Sequence, residues 1–261
     1  GDGTVRGIAG VLAGSGVPLG IVPTGTANLF TRNLGLRPGR LAANAATALS
    51  GTPRAIDVGW SCFRRGDSWT PEEPFLIVAG LGHDAATVLD TSTALKRRLR
   101  WLAYLFAGAG HLLRRPIELD LAADRQPARR VRTWCVLAGN CGRLPGGIVV
   151  FPDADPGDGV LETLLVPLRH PAQWVAVAAK GLFRLRCEVA ALDYGRAREL
   201  VVRPAAPQPL QLDGDAVEVG DGVDHRHRRH HGIGPSQDGV DHRAEQRMRR
   251  QWTGPVVDEH D

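Results

Sequence analysis

Residues 20–30, Gly20-Ile21-Val22-Pro23-Thr24-Gly25-Thr26-Ala27-Asn28-Leu29-Phe30, carry an apolar run into a Thr-Gly-Thr turn and out toward a second apolar periodicity. The pattern predicts a strand over Leu19 to Val22, a turn at Pro23–Asn28 and a helix from about Ala27. A strand-to-helix junction built from glycine and two hydroxyls is either a plain connector or an anion cradle. Glycine lets backbone N–H groups come close to a ligand, and the next helix adds its partial positive charge. The chain opens on a similar stretch, Gly1-Asp2-Gly3-Thr4, within a glycine-rich run that reaches Gly16. Two such turns together make a phosphate cradle plausible where either alone would be read as a turn. A Walker A loop is excluded, because neither Lys96 nor Lys180, the only lysines, stands in a Gly-Lys-Ser/Thr context.

A further helix is predicted over about Arg40 to Leu49, closed by Gly51 as a left-handed cap. From Pro53 the texture changes to short apolar runs separated by Gly, Pro and Asp: 55–63, 74–82, 117–122, 132–140, 146–152, 159–167, 187–195, 199–204 and 210–219. Many short strands at this spacing predict an all-β sandwich or barrel. Two helices interrupt them, over about Thr93 to Leu113 and Ala172 to Phe183. The first is basic and amphipathic. It suits either packing on its own domain or lying on an anionic membrane. The expected organisation is therefore an α/β segment over 1–53, a β-sandwich domain over 54–219 and a disordered tail over 220–261. That tail holds six of the nine histidines and only eight Val, Ile, Ala, Met or Trp residues, too few to bury a core. The sudden loss of alternation after Val219 also resembles an out-of-frame extension.

Composition limits the function classes. The chain has 261 residues, 32 basic and 28 acidic. The seven tail arginines are outnumbered by eight acids, so a nucleic-acid arm is not expected. No apolar run approaches the roughly 20 residues of a membrane-spanning helix. Cys62, Cys135, Cys141 and Cys187 lie far apart without a Cys-x-x-Cys pair. Reduced core thiols in a cytoplasmic protein are expected.

Two acidic clusters remain. Asp153, Asp155 and Asp158 crowd into a glycine-containing loop, Pro152–Gly159, that suits either a solvated turn or a hard, oxygen-ligated cation such as Mg²⁺. Asp213-Gly214-Asp215 lies between alternating residues and predicts a tight hairpin. A carboxylate on so rigid a turn can also serve as a general base. Asp84, after Gly80-Leu81-Gly82, is an acid near the start of the 93–113 helix pattern.

In this order, Gly1–Thr4, Gly20–Gly35, Gly80–Val88, Gly139–Glu162 and Leu212–Asp215 resemble the motifs of the diacylglycerol kinase catalytic-domain family, bacterial lipid kinases with sphingosine- and ceramide-kinase relatives. The resemblance covers about residues 1–219. It implies an α/β nucleotide domain followed by a β-sandwich of the NAD kinase/diacylglycerol kinase kind, the α/β part truncated here at the second glycine of Gly-Gly-Asp-Gly-Thr. It further implies ATP contacts at Gly1, Asp2, Gly3, Thr4 and Thr26, with Asn28 supporting the loop. Asp155, Asp158 and the Val160 carbonyl match a structural Mg²⁺ site, and Asp215 stands where the family carries its glutamate base. The chain departs from the family at Leu29, in place of an aspartate, at Arg6 and Gly7, in place of Asn and Glu, and at Asp215 itself. The implied activity is ATP-dependent phosphorylation of a lipid hydroxyl by a cytoplasmic enzyme bound peripherally to a membrane. The alternatives are a non-catalytic remnant of the family and a soluble NAD-kinase-like enzyme. The oligomeric state is not decided by sequence, a homodimer being one compatible arrangement.

Overall fold

The computed structural model describes residues 1–65, 68–85, 115–144, 147–167, 187–220, 223–228 and 257–258, and a few single positions between 173 and 185. Three helices come first: α1 (Asp2–Leu12), α2 (Leu29–Asn33) and α3 (Leu41–Ser50). The strands follow: β1 (Val58–Arg65), β2 (Ser68–Trp69), β3 (Glu73–Phe75), β4 (Val78–Gly82), β5 (Ile117–Ala123), β6 (Arg129–Thr133) and β7 (Cys135–Gly139). They continue with β8 (Leu161–Leu165), β9 (Asp193–Ala197), β10 (Glu199–Pro204), β11 (Gln208–Leu212), β12 (Asp215–Gly220), β13 (Val223–Arg228) and β14 (Val257–Asp258).

These strands form two sheets. One has eight strands in the order β14-β6-β5-β10-β13-β1-β2, with β3 also on β1; the other has six in the order β12-β11-β4-β7-β8-β9. All pairings are antiparallel except β14 with β6. One core joins both sheets, with Phe63, Leu119, Leu121, Leu200, Val202 and Val223 from the larger meeting Ala79, Leu81, Val136, Leu161, Leu210 and Leu212 from the smaller. This is the expected sandwich. Every residue of β4 and β7 is buried, because the smaller sheet is covered on its other face too. There Leu76, Ile77, Leu137, Leu164 and Phe151 pack with Phe30 and, at the margin, with Val5, Ala9 and Ala13. A strand buried on both faces reads as an unbroken apolar run, which explains why Val78–Gly82 and Cys135–Gly139 show no alternation.

Several expectations need correction. The Gly1–Thr4 stretch is not a free turn. Gly1 is the N-cap of α1, which runs on through three glycines because its Val5, Ala9, Ala13 stripe packs against the core on the smaller sheet. Leu19–Val22 is extended but joins no ladder among the described residues, and Leu19 and Val22 are exposed. The helix after the Thr-Gly-Thr turn starts at Leu29, since Asn28 is left-handed at φ 46°, ψ 45°. Gly51 is extended, not left-handed (φ −74°, ψ 158°), and its N–H reaches the Thr47 carbonyl at 2.9 Å. Among the described residues, 147–152 contribute only an Arg143–Val149 bridge. Cys62, Cys135 and Cys141 are buried free thiols as expected, whereas Cys187 is exposed.

The largest correction concerns 220–261. Residues 223–228 form β13, inserted between β1 and β10, and Val223 is fully buried in the inter-sheet core. Asp, His and Arg conceal this strand from hydropathy, since a residue's β-forming capacity depends on its neighbours across the ladder. The helix expected over 93–113 and most of that over 172–183 lie outside the described residues.

Candidate active site

Strand alternation sets up the site. Ala79, Leu81, Leu210 and Leu212 point into the inter-sheet core, so Gly80 and Gln211, which are paired across β4 and β11, face the opposite side. The β11–β12 hairpin turns at this end through Asp213 (φ 54°) and Gly214 (φ +85°). Two consecutive left-handed residues form the primed turn that suits a two-residue hairpin, and Asp-Gly adopts it readily. The Asp213 carboxylate accepts the backbone N–H groups of Leu76, Ile77 and Val78 at 2.9, 2.8 and 3.0 Å. Burial pushes its pKa up, and those three donors hold it down in part. Asp215, two residues on, is thus carried on a turn bolted to the β3–β4 junction.

α1 comes to the same place. Arg6 donates from one guanidinium nitrogen to the Leu212 carbonyl at 2.7 Å and places the other 3.3 Å from Asp215 Oδ2. A Cβ built on Gly3 would have Asp215 Oδ2 as its nearest neighbour, at 3.9 Å. The first turn of α1 has no side-chain cap. Its leading N–H groups therefore remain available to an anion beside Asp215.

The Thr-Gly-Thr loop closes against that helix end. Asp2 Oδ1 accepts the Phe30 N–H at 3.0 Å. A Cβ on Gly25 would lie 2.9 Å from Gly1 Cα, so only glycine permits this approach. Asn28 is buried, with its side-chain amide donating to the Gly25 carbonyl and its own carbonyl accepting from Thr31 Oγ1 at 2.9 Å. Thr4 and Thr26 remain exposed to solvent. Gly1, Asp2, Gly3, Gly25 and Asn28 are therefore in one cluster with Asp215. The two stretches expected as separate turns lie side by side.

The acidic loop sits elsewhere. Asp155 Oδ1 is shared by Arg54, at 2.6 Å, and the Gly157 N–H, at 3.1 Å. Asp158 accepts the Val160 N–H at 3.0 Å and pairs with Arg196, which also binds Glu162 at 2.9 Å. The two carboxylates thus face different guanidinium groups, and no group of three His, Cys, Asp or Glu suited to a metal occurs among the described residues. As arranged, Asp155, Asp158 and Val160 do not fit a Mg²⁺ cage, and no chemical step is derived through one.

The diacylglycerol kinase catalytic domain model matches residues 1–61, the part that holds α1 and the Thr-Gly-Thr loop. The similarity to the probable lipid kinase YegS-like of Pseudomonas aeruginosa goes much further, at 35% identity over 227 residues, 84% of this chain and 68% of that one. The chain belongs to the diacylglycerol kinase catalytic-domain family. A diacylglycerol kinase of Mycobacterium tuberculosis is 34% identical over 167 residues, and the chain spans about half of its length, with 62% of this chain and 51% of the relative covered. A crystal structure of a diacylglycerol kinase from Bacillus anthracis superposes with a TM-score of 0.59 at 18% identity, over 88% of this chain and 71% of that chain. At that identity the superposition shows the shared fold. The described residues contain no helix long and apolar enough to cross a membrane.

Sequence reasoning noted Arg6 only as a departure from the family pattern and passed over Gln211 and Gly80 as site residues. Arg6 offered no periodic signal, because its partner is more than two hundred residues away. Gln211 did carry one. A lone amide between Leu210 and Leu212 in a core strand must find buried partners.

Proposed function

We propose that this chain is an ATP-dependent lipid kinase, transferring the γ-phosphoryl group of ATP to the hydroxyl of diacylglycerol or a related lipid presented at a membrane surface. The supporting observation is that the uncapped end of α1 and the candidate base face each other, with Gly3 across from Asp215 and Arg6 joining them. The ATP phosphates rest on the N–H groups of Gly1 to Thr4 and on Thr26, a loop that Asn28 stiffens. The lipid oxygen attacks phosphorus, the bond to the ADP oxygen breaks, and the hydroxyl proton passes to the Asp215 carboxylate. Catalysis of this kind is mostly positioning and charge stabilisation. Arg6 suits both, holding Asp215 in place and bringing positive charge to the transferring group.

The test is incubation with γ-labelled ATP, with and without magnesium, over micelles of diacylglycerol or sphingoid base. Labelled lipid is expected. Absence of labelled lipid under all conditions sinks the proposal, and labelled NADP formed from NAD would instead support the dinucleotide-kinase alternative. Asp215→Asn should lower turnover by about 10²–10⁴ with an unchanged melting curve, since it removes the base and little volume. Full activity in that variant would remove Asp215 from the base role.

A further inference from the structure

We propose that Gln211 is a positioning residue that couples the half-buried carboxyl of Asp84 to the turn carrying Asp215. The inference takes Asp215 as the base, and so rests on the lipid-kinase proposal above.

The geometry is specific. The Gly214 N–H can only donate, and it points at Gln211 Oε1 at 2.7 Å. That fixes the amide orientation, leaving Nε2 to donate to Asp84 Oδ2 at 3.2 Å. Gln211 is 3% exposed, while Asp84 and Gly214 at the two ends of the bridge are half-buried. Gly80 makes the passage possible. A Cβ there would stand 2.7 Å from Gln211 Nε2 and 2.8 Å from Asp84 Oδ2. The hairpin turn is thereby held at two points, by Asp213 on the β3–β4 backbone and by Gly214 on Gln211.

The state of Asp84 reaches the turn through this bridge. An ionised carboxylate accepts a stronger hydrogen bond than a protonated one, so loss of the Asp84 charge loosens the hold of Gln211 on Gly214. Burial pushes the Asp84 pKa up to about 6, with the Gln211 bond opposing it. Among the described residues, the other groups near Asp84 are these. The Cys135 thiol on β7 is buried, and its pKa is pushed further up, first by that burial and then by Asp84. His83, next in sequence, is 3.1 Å from the Arg115 carbonyl and lies beside the Trp134 ring at 5.5 Å. Arg6 stands beyond the turn, at Leu212 and Asp215.

The experiment follows the Gly214 backbone amide by ¹⁵N NMR from pH 4.5 to 8 in the full chain, alongside steady-state kinetics. The wild type should titrate at Gly214 with a midpoint near 6, and Gln211→Leu and Asp84→Asn should both abolish that titration. Gln211→Leu should lower kcat at least tenfold with KM for ATP unchanged. A flat wild-type amide, an unchanged midpoint in Gln211→Leu, or kcat unaffected in an active variant overturns the proposal. Persistence of the titration in Asp84→Asn assigns it to another group, Asp213 beside the amide or His83, and overturns the proposal equally. If Gln211→Leu does not fold, the near-isosteric Asp84→Asn decides. A chain that phosphorylates no lipid but shows the predicted amide behaviour defeats the kinase proposal and leaves the bridge standing.

Discussion

Buried carboxyls are costly when ionised, and the cost appears as pH dependence. The Asp84 carboxyl has its pKa raised by burial to about 6 in the folded state. A raised acid means the folded chain binds more protons than the unfolded one between the two pKa values, so stability is highest at the acid end of that window. Stability should therefore fall by about 3 kcal/mol as pH rises from about 4 to 7, and Asp84→Asn should lack this decline. Denaturant midpoints measured across that range check it. An equal slope in wild type and variant would show that another group titrates. Sequence could place Asp84 after a glycine turn but could not place it under β11. Its environment is made by Gly80, Cys135 and Gln211 on three different strands.

The β11–β12 hairpin was legible as an element. Asp-Gly between alternating residues specifies a primed two-residue turn, and β11 and β12 form on either side of it. Its anchorage was not legible, because the three donors to Asp213 come from residues 76–78. Asp213→Ala should strand those N–H groups and cost about 3 kcal/mol or more, at roughly 1–3 per unsatisfied group. Asp213→Asn, which keeps one acceptor, should lie between. Chemical denaturation of both variants checks the order, and Ala no worse than Asn would mean that water replaces the carboxylate. The same limit applies to α1, whose three internal glycines disfavour a helix on propensity alone. Tertiary packing of Val5, Ala9 and Ala13 supplies what local preference lacks.

For the whole molecule, the decisive element is β13. It fills the gap between β1 and β10, so its removal divides the larger sheet. A chain ending at Val219 should lose its cooperative thermal transition, and Val223→Asp in the full chain should destabilise strongly, because an unpaired charge would enter the inter-sheet core. Circular dichroism melts decide both. A chain ending at Val219 that melts like the full one would show that β13 is dispensable. The sequence by itself determined the order of motifs, the family and the change from helices to short strands, since these depend on local spacing, turn chemistry and apolar periodicity. Only the tertiary structure decided that Gly1–Thr4, the Thr-Gly-Thr loop, Arg6 and Asp215 lie together with Gln211 behind the turn, and that an Asp/His/Arg stretch completes a sheet. Both follow from contacts between residues far apart in the chain, where a side chain's role is set by what folding brings against it.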